Sequence, residues 1–231
     1  MSSFRVVTYN VHKCRGMDGR LRPDRIARVL EHLNADAYAL QEVFEEQAQW
    51  LADKLGLRVA FGCSRILGGQ PYGNAILSKV EGLQSSCCDI SIRGREPRSC
   101  LTVDIPVEGG KVVRLSNVHM GTGYFERKEQ VSLLVDRALQ PEPKVARLLI
   151  GDFNEWIPGM ASRVLRAQLE TVDVRLHLRY PQSYPGLFPI LHLDHVYHDR
   201  QLCLVQFAIF RTALSLVASD HLPISATFRW A

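Results

Sequence analysis

The stretch Leu148-Leu149-Ile150-Gly151-Asp152-Phe153-Asn154 is an apolar run that stops at a glycine and then presents a carboxylate and an amide two residues apart. A run of branched apolar residues fits a strand covered on both faces, and polar groups just beyond such a strand stand where open α/β sheets collect ligands. If the extended geometry continues, Asp152 and Asn154 share a side, which suits them to hold a hard cation or a phosphate oxygen. Gly, Asp and Asn are also common turn residues, so this stretch by itself is equally a turn.

The same grammar recurs along the chain. Val6-Val7-Thr8-Tyr9-Asn10 is an apolar strand ending in an amide, and Tyr38-Ala39-Leu40-Gln41-Glu42 is one ending in a carboxylate. Ser219-Asp220-His221-Leu222-Pro223 sets a carboxylate beside an imidazole just before a last apolar strand, Ile224 to Phe228. Leu193-Asp194-His195-Val196 embeds a charged pair in apolar sequence, where a buried charge is costly unless it is paired or binds an ion. Several strands thus deliver oxygen and nitrogen ligands at comparable ends.

Thr-Tyr-Asn-Val-His at 8 to 12, Gln-Glu-Val at 41 to 43, Gly-Asp-Phe-Asn at 151 to 154 and Ser-Asp-His-Leu-Pro at 219 to 223 follow one another in an order that resembles the endonuclease/exonuclease/phosphatase superfamily. That superfamily includes deoxyribonucleases, abasic-site endonucleases, neutral sphingomyelinases and inositol polyphosphate 5-phosphatases, which cleave phosphoester bonds with a divalent metal. The resemblance spans essentially the whole chain. It implies an α/β (α+β) fold, a four-layer α/β sandwich of two packed, mostly antiparallel sheets flanked by helices. It also implies a hydrolase acting on a phosphoester, a phosphodiester first, with Mg2+ as cofactor and Mn2+ as a substitute.

Phosphodiester hydrolysis needs a cation against the developing charge, an activated water, and stabilisation of the leaving oxygen. Glu42, with Asn10 and Asp220, is the expected metal set, since magnesium takes few carboxylates and keeps several waters. The structural alternative for Glu42 is a carboxylate at a helix N-terminus. On the resemblance, His221 is the candidate general acid or base, and Asp194 accepts a hydrogen bond from its other ring nitrogen, fixing the tautomer and favouring the imidazolium. Asp152 then orients the attacking water and Asn154 holds the phosphate. His119, closing Leu115-Ser116-Asn117-Val118, resembles the family's second histidine, which stabilises the phosphate or the leaving group; otherwise it caps a strand end. Asn74 matches a strand lining the cleft, and Arg98 has the fork to grip phosphate, although Asn74 can equally open a strand and Arg98 sit solvated in a loop. His12 and Lys13 follow Asn10 closely enough to approach substrate. His195 stands where family members often carry an aromatic residue.

The elements that must position these groups read as follows. Pro23-Asp24 opens a helix with Ile26, Val29, Leu30 and Leu33 at helical spacing, and a second helix runs from about Glu45 to Leu55. Tyr72 to Leu77, Asp89 to Ile92, Ser99 to Val107 and Val112 to Val118 read as strands of an antiparallel meander, the last two joined by a Gly109-Gly110 turn. Helices follow at about Phe125 to Leu139 and Gly159 to Gln168, and Leu178 to Pro189 reads as a loop near the site.

With 231 residues, 46% of them apolar, the chain suits one globular domain. Its charge of +4 is compatible with a polyanionic substrate but too small to argue for one. No secretory leader or membrane-length apolar run stands out, and the six cysteines lack metal-ligand spacing, so reduced thiols, a cytoplasmic setting, no stable membrane insertion and no obligate protein partner are expected. The substrate is expected to be nucleic acid or a phospholipid headgroup. Nuclease is placed ahead of lipid or small-molecule phosphodiesterase on family frequency alone, with the runs 13 to 22 and 123 to 128 as candidate backbone contacts. A silent binding scaffold is the reading from another class, disfavoured because the full set of site residues is present.

Overall fold

The computed structural model describes residues 3–107, 109–157, 159–172 and 177–231. Two six-stranded sheets pack face to face. The first has strands β1 (Phe4–Asn10), β2 (Ala37–Phe44), β3 (Arg58–Leu67), β4 (Gln70–Ser78), β11 (Leu202–Ile209) and β12 (Ile224–Trp230), in the order β11-β12-β1-β2-β4-β3. The second has β5 (Gln84–Asp89), β6 (Ser99–Val107), β7 (Lys111–His119), β8 (Val145–Asp152), β9 (Glu170–Thr171) and β10 (Asp194–His198), in the order β5-β6-β7-β8-β10-β9. Each sheet contains a single parallel pair, β1 with β2 and β7 with β8, and all its other pairings are antiparallel. The two halves therefore repeat one pairing pattern that no sequence duplication announces.

A parallel pair needs a crossover, and an amphipathic helix supplies it in each half: α1 (Pro23–Leu33) between β1 and β2, α3 (Tyr124–Ala138) between β7 and β8. Ile26, Val29 and Leu30 of α1, with Leu51 of α2 (Glu45–Leu55), bury against Val7, Tyr9, Leu40 and Leu77 on the outer face of the first sheet. Val131 and Leu134 of α3, with Leu165 of α4 (Met160–Arg166), bury against Val118, Leu149 and Tyr197 on the outer face of the second. A short helix, α5 (Ser215–Ala218), precedes β12. Between the sheets lies the third core, with Val6, Ile76, Leu101, Leu115, Leu148, Ile150 and Phe228. The four-layer sandwich expected from the sequence is the observed architecture.

The expected meander is not one unit. Tyr72 to Leu77 lies in β4 of the first sheet, paired with β2 and β3, and only β5, β6 and β7 run consecutively in the second. The strand placed at Asp89 to Ile92 is instead β5, ending at Asp89. Its residues Gln84 to Cys87 are polar or small and exposed, so no apolar pattern marked it. β3 and β11 lack such a pattern as well: they are the two edge strands of the first sheet, with mixed exposure and a register shift. The Gly109-Gly110 turn does join β6 and β7, with both glycines at positive φ.

Candidate active site

Strand parity aims the site. On β8, Leu148 and Ile150 enter the inter-sheet core while Leu149 enters the outer one, so Asp152 leaves the strand end on the inter-sheet side. The same count sends Asn10 inward from β1 with Val6, His119 from β7 with Val113 and Leu115, and Asp194 from β10 with Val196. Glu42 breaks the rule, because Tyr38 and Leu40 of its parity face outward. A register shift between Leu40 and Val43 and a left-handed φ of 56° at Glu42 turn its side chain into the cleft. Gly151 is required by the same corner: at φ 147°, a Cβ there would lie 1.9 Å from the Val118 carbonyl oxygen.

These groups converge on Asp152, which is almost fully buried. Asn10 Nδ2 donates to Asp152 Oδ2 at 3.0 Å and to Glu42 Oε1 at 3.2 Å. His221 Nε2 and His119 Nε2 face the same Oδ2 at 3.5 and 3.6 Å. Behind His221, its Nδ1–H donates to Asp194 Oδ2 at 3.0 Å, and Ser183 donates to the same oxygen at 2.6 Å. Burial alone would lower the His221 pKa, but the Asp194 and Asp152 charges and the Asp194 hydrogen bond outweigh it and push it up to about 10. His221 is therefore an imidazolium at neutral pH.

His119 is the opposite case. Burial first, then the Arg98 charge, bring it down to about 4 despite the nearby carboxylates. Arg98 Nη1 stands 3.3 Å from His119 Nδ1, and a guanidinium can only donate, so the ring's proton is on Nε2, facing the cleft. Arg98 is itself buried and braced by Glu96, which also pairs with Arg65. Glu42 is held ionised: burial raises its pKa, but His119, the Asn10 hydrogen bond, Lys13 and the Tyr72 hydroxyl together bring it down to about 2.

The structure brings Asn10, Glu42, His119, Arg98, Asp152, Asp194 and His221 into one connected cluster. Asp220 lies at its edge, 3.7 Å from His12 Nδ1, with its backbone carbonyl accepting from Gly186 N–H. Asn154 does not continue the strand as expected. β8 ends at Asp152, Asn154 has φ 50°, its N–H donates to Asp152 Oδ1, and its side-chain amide donates to the Met120 carbonyl. Asn74 points inward but spends its amide on the Ser99 carbonyl of the opposite sheet, at 3.0 Å. Glu42 is not in the first turn of α2, which Glu45 and Glu46 occupy. His195 packs edge-on to Phe153 and bonds the Glu155 carbonyl.

Sequence reading missed Tyr72, Ser183 and the inter-sheet pair Gln41 and Asn117. Tyr72 stands two residues before Asn74 and could have been found by the same parity. Ser183 sits in the loop read as close to the site, without a motif of its own. Asn117 Nδ2 donates to the Leu40 and Ala75 carbonyls of the first sheet, both at 2.9 Å, and Gln41 Nε2 donates to Asn117 Oδ1 at 2.7 Å. That knot fixes how the two sheets, each carrying half of the site, meet.

Asp152, Asp194 and His221 bring one metal-capable atom each within 4.8 Å of one another. Both ring nitrogens of His221 face carboxylates, however, and a hard cation favours oxygen donors. Glu42, Asn10 and Asp220 are all-oxygen donors with an ionised carboxylate at the open cleft, which fits such a cation.

A family model described as the Endonuclease/Exonuclease/phosphatase family matches residues 7–221. The chain belongs to that family, whose members are phosphoester hydrolases typically dependent on a divalent metal, and it is an enzyme of that class. It is 29% identical to the uncharacterised protein YbhP of Escherichia coli, over 97% of this chain and 95% of that one. Among solved structures, an endonuclease/exonuclease/phosphatase from Beutenbergia cavernae superposes with TM-score 0.83 at 22% identity, covering 99% of this chain and 72% of the other. A mannosyl-6-phosphatase from Bacteroides thetaiotaomicron does so with TM-score 0.80 at 18% identity, covering 98% and 100%. At those identities the structural likeness is one of fold.

Proposed function

We propose that this chain hydrolyses a phosphoester, a phosphodiester first, by direct attack of a water oriented on Asp152. The observation that carries this is the convergence of Asn10, His119 and His221 on one carboxylate oxygen, Asp152 Oδ2. In this reading Asp152 accepts the water's proton. The His221 imidazolium, kept charged by Asp194 behind it, gives its Nε2 proton to the leaving oxygen as the old P–O bond breaks, and the neutral Nε2–H of His119 stabilises charge on the phosphoryl oxygens. Asn154 and Arg98 help to place the phosphate, and Asn74 shapes the wall through its bond to Ser99. Glu42, Asn10 and Asp220 would hold Mg2+ or Mn2+, which when bound supplies Lewis-acid stabilisation of phosphoryl charge.

For the substrate, the fold weakens the case for a duplex. In the run 13 to 22, Asp18 pairs with Arg25 and Arg22 with Asp24, and Gly16 N–H donates to the Arg20 carbonyl, so the loop is folded on itself and partly neutralised. In the run 123 to 128, Arg127 is buried and donates to the Gly121 and Thr122 carbonyls, while Tyr124 and Phe125 point outward. A compact phosphoester headgroup therefore stands ahead of a nucleic-acid backbone. Six free thiols agree with work in a reducing compartment such as the cytoplasm.

The test is hydrolysis, in Mg2+ and then Mn2+, of bis-p-nitrophenyl phosphate, phosphatidylglycerol, sphingomyelin and plain or abasic duplex DNA, with Asp152→Ala as control. Calorimetry of Mg2+ on Glu42→Ala accompanies it. Turnover lost in Asp152→Ala and cation affinity lost in Glu42→Ala are expected. Cleavage of DNA alone would restore the nuclease reading, and silence on every substrate would leave a scaffold.

A further inference from the structure

Of the thirteen large apolar side chains exposed among the described residues, eight lie in three short segments: Tyr124 and Phe125 opening α3, Trp156 and Ile157 after β8, and the stretch 180 to 190. Phe125 and Phe188 are each about three-quarters exposed, at 74% and 75%. The three segments abut one another along one side of the cleft. A Cβ on Gly159 would lie 3.2 Å from the Tyr124 ring, which joins the first two. His195 bonds the Glu155 carbonyl and meets His192 edge to face, with ring centroids 4.6 Å apart, which joins the second to the third. The third then reaches the site, where the Tyr184 ring lies 4.8 Å from that of His221.

The third segment is held out rather than loosely exposed. Ser183 and Tyr184 N–H groups donate to the Leu191 carbonyl, and those of Ile190 and Leu191 donate back to Tyr184. Gly186 N–H donates to the Asp220 carbonyl at 2.6 Å, and Leu222 N–H to that of Ser183. The neck is thus fastened to the strand ends that carry the site, and it presents Leu187, Phe188 and Ile190 to solvent. Contiguous exposed apolar surface of this kind marks an interaction site.

The charges around it point to one partner. Arg179 lies over the Tyr180 ring and Arg211 bonds the Gln182 carbonyl, and exposed Lys128 and Arg163 stand about one helical turn beyond Tyr124 and Gly159 on α3 and α4. The nearby Glu126 and Glu155 are buried, the first against the Gly123 N–H and the second on Ser162, which leaves Glu129 exposed beside the first segment and Asp220 half-buried behind the third. Aromatic and aliphatic tips among cations match the headgroup region of an anionic bilayer, with rings at the interface and basic groups on lipid phosphates.

We propose that this rim docks the enzyme onto anionic phospholipid surfaces, so that the cleft opens on headgroup phosphoesters. Among the described residues no helix is long and apolar enough to cross a membrane, and the docking is interfacial. The inference rests on the reading of the cleft as a phosphoester hydrolase and names where its substrate is met.

The test is flotation of the full chain with phosphatidylcholine vesicles, with and without phosphatidylglycerol, while following tryptophan emission with brominated lipid. Wild type is expected to float with the anionic vesicles, with a blue-shifted, quenched signal that Trp156→Phe removes. Phe125→Ser combined with Phe188→Ser should weaken this binding by about tenfold or more while leaving turnover of soluble bis-p-nitrophenyl phosphate unchanged. Absence of wild-type flotation, flotation unaffected by the double variant, or a concentration-dependent dimer in sedimentation velocity that the double variant abolishes would each overturn the docking. Soluble turnover without vesicle binding would sink the docking alone, whereas vesicle binding without turnover of any phosphoester would uphold docking and sink the catalytic reading.

Discussion

His221 stands between two buried carboxylates, and its charge is the property a substitution removes. His221→Ala is expected to cut phosphoester turnover by about 10²-fold or more, with the far-ultraviolet spectrum intact. A near-normal rate would move the acid role elsewhere. The same residues set the pH dependence of stability. His221 is raised from 6.5 to about 10, so its contribution is full below the unfolded value and is lost as pH rises through about 10. Glu42 and His119 are lowered, from 4.5 to about 2 and from 6.5 to about 4, so theirs are present above the unfolded values and lost as pH falls through the folded ones. Melting temperature against pH should thus decline on both sides of neutrality, and His221→Ala should flatten the alkaline limb. An unchanged alkaline limb would count against the protonated ring.

β8 shows how an element delivers a group. Its even-numbered residues face the inter-sheet core and Leu149 the helices, while Arg147, of the same parity as Leu149, pairs with Asp199, so the run Leu148 to Ile150 is apolar on both faces before Asp152. The corner turns at Gly151, packed against the Val118 carbonyl of the parallel neighbour. Gly151→Ala is expected to cost about 3 kcal/mol, combining positive-φ strain with a clash the backbone must relieve, and to displace Asp152. Urea unfolding would measure it, and a change under about 0.5 kcal/mol, the usual range of a neutral surface substitution, would show that the corner tolerates a side chain. β8 could be read from the sequence because its burial on both faces leaves a continuous apolar signal. β3, β5 and β11 could not, since solvent on one side admits polar residues at their positions.

The whole molecule is a sandwich of two packed sheets, each supplying part of the site: Asn10, Glu42 and His221 come from the first and its flanking loop, His119, Asp152 and Asp194 from the second. Asn117 ties them through two carbonyls and Gln41. Asn117→Leu would strand these buried partners, at roughly 1–3 kcal/mol for each unsatisfied group. A loss of about 3 kcal/mol, seen as a fall of roughly 6–12 °C in Tm, is expected for a chain of this length. Activity should fall with it at temperatures where the variant is still folded, since the two half-sites lose register. Full activity and an unchanged Tm would mean that apolar packing alone aligns the sheets.

The sequence by itself determined which groups stand at the strand ends: Asn10, Glu42, His119 and Asp152 close apolar runs, and Asp194 and His221 lie beside others. Those are local properties, set by apolar neighbours on the same strand, whereas which strand face lies between the sheets was decided by tertiary packing. Tertiary structure alone decided that a bulge turns Glu42 inward, that Asn154 leaves the strand and that Asn74 is spent on Ser99. It also placed Arg98 on His119 and tied the basic run at 13 to 22 to the start of α1, through the Asp18–Arg25 and Arg22–Asp24 pairs. Each of these depends on which backbone carbonyl or charge lies opposite, often across tens of residues, and no periodicity within a single segment encodes that partner.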